Sequence, residues 1–462
     1  MIDQDLISRL LKAALQSGGD YAEVFMEWRR PTFLQLEDRK VEKALSGTEC
    51  GVGLSVIVGE RTAYAYSNDL SPAALMEMAA TLRGAIRDAS AFTSSIDLRV
   101  IAPSVRMPIE VYPSDVSMER KVSLIRAAEA AARAVDSAIR QVVVIYRDSV
   151  QRVRIANSLG ALIDDERVQS TGLVQVVAER GGVVQTGYEP VGGHVGFEIF
   201  DREPLTEAAE RAARRAVSML SARRAPGGRM PVVISSTAGG TMIHEAIGHG
   251  LEADLAGQGL SKYSGMIGQQ VASKLVTVID DATLPNRRGS YAFDDEATPS
   301  ARTVLVKDGV LAGYMYDRLS AIRDGAASTG NGRRESYQSR PIPRMSNTFI
   351  PPGASDPAEI LRSTPSGLFV RKMGGGQVNT VTGEFVFDVQ EGYLIEGGRI
   401  GELVRGATLT GSGPDILSSI DMVGTDLGFS IGTCGKDAQG VPVSDAMPTV
   451  RIPEMVVGGE VA

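Results

Sequence analysis

Cysteine and histidine are scarce in this chain: 462 residues include two cysteines, Cys50 and Cys434, and three histidines, His194, His244 and His249. Two thiols are too few for a disulfide framework in a chain of this length, so each reads as a free thiol or a ligand. Long apolar runs are missing too. No stretch of about 18 apolar residues occurs, which excludes an ordinary transmembrane helix, and the opening MIDQDLISRLLKAALQSGG lacks a basic region followed by an unbroken apolar core. The expectation is a cytoplasmic protein that does not engage a membrane. Positive charge is also in short supply, with 48 Lys and Arg against 56 Asp and Glu for a net charge of -8. That balance argues against a nucleic-acid binder, which needs basic side chains to neutralise phosphates.

Hydrophobic residues at 43% and charged residues at 23% are those of an ordinary globular protein. The length exceeds one core, because single cores stop growing near roughly 250 to 300 residues. Apolar positions at helical spacing predict helices over Asp3 to Ser17, Ser71 to Ala89, Ser117 to Val135 and Leu205 to Ala222. Between them lie β-rich stretches, among them QVVVIYRDSVQRVRIAN, whose β-branched content predicts a strand pair. The run RRAPGG punctuates the chain at Pro226, Gly227 and Gly228. The expected fold class is therefore α+β in two domains: an α/β N-terminal domain over 1–225 and a β-rich C-terminal domain over 226–462. In the second domain PVVIS reads as a buried strand, and TAGGTMIHEAIGHGLEAD as a turn entering the one functional helix. Asp308-Gly309 and Gly397-Gly398 are hairpin signals, and the polar segment from Gly330 to Asn347 reads as a long loop.

Two of the three histidines fall within six residues, in His244-Glu245-Ala246-Ile247-Gly248-His249. This HExxxH pattern is one residue longer than the HExxH of common zinc peptidases. At about 100° per residue, a spacing of five separates the imidazoles by about 140° in a regular helix, too far to share one ion easily. Gly248 permits an end, a kink or a one-residue bulge before His249, so a distorted helix is predicted. The bland alternative is a helix with two unrelated polar residues and a breaker glycine. Catalytic zinc takes three protein ligands and leaves one position open. On chemistry alone, Glu252, Asp254 and Cys434 are all candidates for the third. Glu245 is of the right type and place to accept a proton from the attacking water and pass it to the leaving amine, although an acid in a first helical turn is also favoured without any such role.

The blocks HEAIGHGLEAD, DDATLPNRRGSYAFDDEATPS, TGNGRRESY, GGQVNTVTGEFVFDVQEGYLIEGG, RGATLTGSG and GTCGKDAQGVPV together resemble the TldD/PmbA family of metallopeptidases. The similarity runs in order from about Gly51 onward and is densest after Ile234. The resemblance implies one zinc ion per chain held by His244, His249 and Cys434, with Glu245 acting in catalysis. It implies a dimer, either with a second copy or with a TldE/PmbA-like subunit that lacks the metal motif, and unfolded or leader-type peptides as substrates. Ala438 stands where that pattern leads one to expect glycine.

Weaker signals carry plain alternatives. Gly374-Gly375-Gly376 could receive a peptide backbone as an added strand or form a simple loop. Arg333, Arg334 and Tyr337 could steady an oxyanion or a peptide carboxylate, or serve structural ion pairs. His194 reads as an ordinary hydrogen-bonded residue, and Cys50 as a small buried one. The rival to a peptidase is a regulatory or partner subunit whose metal site is structural.

Overall fold

Apolar residues at alternate positions make the long strands of the first half. In the computed structural model, which describes residues 2–85 and 95–460, Ile139–Asn157 buries Val142, Val144, Tyr146 and Val150 on one face, the two-residue period of a strand with one covered side. The sequence pattern predicts a strand pair here; instead a single strand runs through Arg147-Asp148-Ser149. Strands run alongside it on both sides, Tyr21–Glu37 pairing through Arg147↔Phe33 and Ala161–Arg180 through Asp148↔Ser170, which holds these three residues extended. The turn comes at Ser158–Gly160, where Gly160 has a φ of 95°, and the chain returns antiparallel as Ala161–Arg180.

These two strands join Tyr21–Glu37, Lys40–Ser46, Glu49–Val58, Arg61–Ser67, Arg99–Val100 and Val183–Gly193 in one eight-stranded sheet. Two helix pairs pack on it. Gln4–Ala14 and Pro72–Ala85 bring Leu6, Leu10, Leu75 and Leu82 against Val24, Met26, Leu54 and Val56. Met118–Arg133 and Leu205–Leu220 bring Ile125, Ala128, Ala209 and Ala212 against Val142, Val144, Val174 and Val176. Asp3 and Ser117 cap their helices by accepting from the backbone of Leu6 and Arg120. Residues 86–89, the expected end of the second helix, lie outside the described residues. Among the described residues, no helix is long and apolar enough to cross a membrane.

After Gly228 the strands are shorter and the fold remains mixed α/β. Gly228–Ile234 pairs parallel with Ser366–Val378 and antiparallel with Val450–Gly458 inside a second eight-stranded sheet. A six-stranded sheet carries Val278–Asp281, Arg302–Lys307 and Asn347–Phe349, with the hairpin Gly428–Lys436 and Gln439–Met447 at its edge. The histidine segment lies in the core these sheets share, where Ile243, Ala246, Ile247 and Leu251 pack with Val232, Val370, Phe385, Val441 and Val443. Asp308-Gly309 and Gly397-Gly398 both turn their hairpins with positive φ. Residues 330–347 are irregular apart from the short pairing of Gly332–Arg333 with Ile342–Pro343 and the last residue, Asn347, which opens the strand Asn347–Phe349. This half also contains the helices Arg318–Asp324, Pro357–Arg362 and Gly413–Ser419, where the pattern predicts a single functional helix. Each is shorter than the window over which helical periodicity can be read.

The cysteine hairpin turns at Asp437-Ala438 with φ values of 50° and 57°. A left-handed alanine costs about 1–2 kcal/mol, whereas a glycine costs about 0.4–1 kcal/mol through its freer unfolded state. Ala438→Gly is therefore expected to stabilise the protein by up to about 1 kcal/mol. The readout is a small rise in the thermal midpoint; a fall would mean that the turn tolerates alanine without strain.

Candidate metal centre

Glycines let the histidine segment thread a tight space. A Cβ on Gly240 would lie 2.2 Å from the Ala446 backbone nitrogen, and one on Gly248 would lie 2.2 Å from Met345 Sδ. Gly248 has ordinary helical angles, φ -53° and ψ -56°, so its role is space rather than an unusual backbone. His244–Gly248 forms a π turn in which the His249 N–H donates to the His244 carbonyl. An i→i+5 bond stacks residues five apart over one another, which brings together two rings that a regular helix would splay. The ring centroids are 5.0 Å apart with planes at 89°.

Cys434 reaches the histidines from 185 positions along the chain, with Sγ 3.4 Å from His249 Nε2. The ligand atoms of His244, His249 and Cys434 all lie within 4.8 Å of one another. Tetrahedral zinc, with bonds of about 2.0–2.3 Å, sets its ligand atoms roughly 3.5 Å apart. The Cys434–His249 pair already stands at that spacing and the widest pair needs to close by about an ångström at most, and two imidazoles with one thiol are a donor set that suits zinc. Among the described residues no fourth His, Cys, Asp or Glu joins this group. Burial would raise the Cys434 thiol, but hydrogen bonds and charge from both histidines bring it down to about 5, which favours the thiolate that binds metal.

The two acids near His249 in sequence lie elsewhere. Glu252 is buried behind the ring, where Oε2 faces His249 Nδ1 at 3.0 Å and Lys436 Nζ at 3.1 Å. Asp254 Oδ1 accepts from Lys436 at 2.7 Å. Burial pushes Glu252 up, yet Lys436 and His249 outweigh it and hold the carboxyl at about 2. A carboxylate on Nδ1 fixes the tautomer and leaves Nε2 directed at the cysteine. Lys436 was findable from the sequence, because a residue two beyond Cys434 shares its face of a strand; Glu252 in this supporting role was not. His244 Nδ1 is buried without a hydrogen-bond partner, and Asp445 Oδ2 lies 4.0 Å from it. Removing the charge behind His249 with Glu252→Gln is expected to weaken zinc binding by about 10- to 100-fold, measured by competition with a chromophoric chelator. An unchanged affinity would mean that Glu252 contributes only packing.

Half-buried Glu245 follows His244 and lines the same cavity as His244, His249 and Cys434, about 840 Å³ in volume. Burial raises its carboxyl above the usual value, against the pull of His244 and His249. Gly374, Gly375 and Gly376 also line it. They belong to Ser366–Val378, whose pairing with Gly228–Ile234 stops at Val370 while its pairing with Glu384–Glu396 continues. Tyr188 and Pro190 of the first sheet complete the wall.

Other candidates fall outside this cavity. Arg334 is buried in an ion pair with Glu23, Arg333 donates to the carbonyls of Met345 and Pro442, and the Tyr337 N–H donates to Glu27. All three join the first sheet to the second half or brace that junction, so the structural reading of this block is the one the geometry supports. His194 uses both ring nitrogens, Nδ1 with the Ser290 carbonyl and Nε2 with the Val168 N–H. Cys50 packs at the margin of the core under the first helix pair.

Three family models match the chain: PmbA/TldA metallopeptidase domain 1 over residues 22–141, the central domain over 111–220 and the C-terminal domain over 227–459. A Haemophilus influenzae protein named a metalloprotease TldD homolog is 37% identical over 449 residues, spanning 95% of this chain and 93% of its own length. A Saccharolobus solfataricus protein named a zinc metalloprotease TldD homolog is 27% identical over 344 residues, 74% of this chain and 77% of its own. Among solved structures, a Thermotoga maritima protein described as a modulator of a DNA gyrase superposes with a TM-score of 0.79 at 21% identity, over 98% of this chain and 100% of its own. TldE from Thermococcus kodakarensis gives 0.76 at 17% identity, over 98% and 100%. At these identities the two structures establish the fold.

Proposed function

The chain belongs to the PmbA/TldD family of metallopeptidases, and from that premise we propose that it is a zinc-dependent peptidase of unfolded or leader-type peptides. His244, His249 and Cys434 hold one zinc ion per chain, and Glu245 is the general base and then the general acid. The observation that carries this reading is the approach of three ligand atoms to within 4.8 Å beside a carboxylate, all opening on one cavity. Zinc, when bound, supplies Lewis acidity and brings the pKa of water to about 7. Glu245 takes the proton of the attacking water and returns it to the departing amine. Glu252 and Lys436 keep His249 in register, and the free edge at Gly374–Gly376 receives the extended peptide backbone.

The layout that serves this activity is an α/β N-terminal domain over 1–225 and a β-rich domain over 226–462 that bears the HExxxH segment. The protein works in the cytoplasm as a dimer, with a second copy or with a TldE/PmbA-like subunit; sedimentation of the protein alone and with such a subunit decides between them, and a monomer in both cases removes the dimer. A regulatory subunit with a structural metal is the rival. Structural zinc is normally closed by four protein ligands, and the described residues bring three together. Chelation is expected to abolish cleavage of an unfolded peptide, and added zinc to restore it, while the same sequence inside a folded protein stays intact. Cleavage that survives complete removal of metal overturns the reading.

A further inference from the structure

A second cavity of about 370 Å³ lies between the first sheet and the cysteine hairpin, and Thr433 borders both this cavity and the metal cavity. Its wall is rich in arginine. Arg29 has carboxylate partners in Glu49 and Glu27, Arg167 in Asp295 and Asp165, and Arg334 in Glu23. Arg147, Arg288 and Arg333 have no ion pair among the described residues. Arg288 donates to the Gly432 carbonyl at 3.0 Å, to the Gln169 side-chain oxygen at 3.2 Å and to Thr433 Oγ1 at 3.3 Å. Arg147 rests on the Phe33 ring at 5.1 Å, and Arg333 spends its donors on two carbonyls. Of the acids on the wall, Asp148 is matched by Lys121. Glu335 is the remaining counter-charge, tied to the Gly440 N–H at 3.0 Å.

Arg147, exposed, and Arg288, half-buried, thus face the cavity without a carboxylate of their own, and an anion there would offset the cost of covering the Arg288 guanidinium. Burial, then the nearby charge of Arg147, pushes Arg288 down to about 10. The field of Arg288 also reaches Tyr188, which lines the metal cavity. A guanidinium fork matches the two oxygens of a carboxylate.

We propose that Arg147 and Arg288 form a carboxylate-binding site that holds an acidic side chain or the terminal carboxylate of the peptide whose backbone lies in the metal cavity. The peptide as carrier rests on the peptidase reading; the preference for an anion rests on the arginines alone. The test is binding, followed by fluorescence anisotropy on zinc-loaded Glu245→Gln protein so that nothing is cleaved. The labelled unstructured peptides are matched: one with an internal Glu and a free terminus, one with that Glu changed to Gln, and one with an amidated terminus. Succinate serves as a free small carboxylate. Arg147→Gln is the main variant, because Arg147 has no ion pair to lose among the described residues, and Arg288→Lys tests charge without the fork.

The acidic peptide is expected to bind about 10-fold or more tightly than one neutral counterpart, and which counterpart is weak tells side chain from terminus. Arg147→Gln is expected to erase that preference while leaving the neutral peptide's binding and the zinc content unchanged. Equal affinity for all three peptides, or a preference that survives both variants, overturns the proposal. Succinate binding without any peptide preference overturns it in favour of a small free anion. A chain that shows the preference but cleaves nothing before Glu245 is changed keeps the site and loses the peptidase reading.

Discussion

Replacing Glu245 with glutamine is expected to leave zinc in place and to lower turnover by about 10²- to 10⁴-fold, the usual contribution of a positioned acid–base group. The substitution keeps shape and hydrogen-bonding capacity but removes the proton acceptor. Glu245 is not one of the three residues whose ligand atoms converge, so metal content should match that of the unchanged protein. Steady-state cleavage of an unfolded peptide and zinc per chain, from one preparation, make the comparison. Undiminished turnover in a metal-loaded variant would remove Glu245 from the mechanism. Loss of both activity and zinc would make it part of the metal support instead.

Cys434→Ala should have the largest effect on the metal. It removes a ligand outright, so zinc retention should fall by more than the roughly 10- to 100-fold that supporting groups contribute. The variant should also lose most of the rise in thermal midpoint that zinc gives the unchanged protein. A bound metal stabilises the folded state by mass action, and here it ties together segments 185 positions apart. Zinc content after dialysis and paired melting curves with and without zinc provide the readout. Unchanged zinc would hand the third position to another group.

Much of the centre was legible because its signals are local. The five-residue spacing of His244 and His249 demands a widened turn, and a π turn is present. The Asp308-Gly309 and Gly397-Gly398 pairs announce their turns by residue type alone, and the amphipathic helices by periodicity. What escaped was either long-range or too short to carry a period. Composition cannot say whether Arg147-Asp148-Ser149 is a turn or the middle of a strand, since that depends on a partner strand running alongside. Arg333 and Arg334 read equally well as substrate clamps or structural pairs, and only the position of Glu23, more than three hundred residues away, decides for Arg334. That Cys434 sits beside the histidines and Glu252 behind His249 needed the fold, because distance along a chain does not reveal which edge strand returns to which helix.

In the proposed centre, the separation of His249 from Cys434 along the chain also sets when the ligands can meet. At roughly 5–20 residues per second, the ribosome makes Cys434 some ten to forty seconds after His249, given the 185 residues between them. Val450–Gly458, the antiparallel partner of the strand that leads into the histidines, arrives later still. A nascent chain is itself an unfolded polypeptide, the material this protein is proposed to cut. A centre divided in the proposed way between an early helix and a late hairpin cannot assemble until nearly the whole chain has been made.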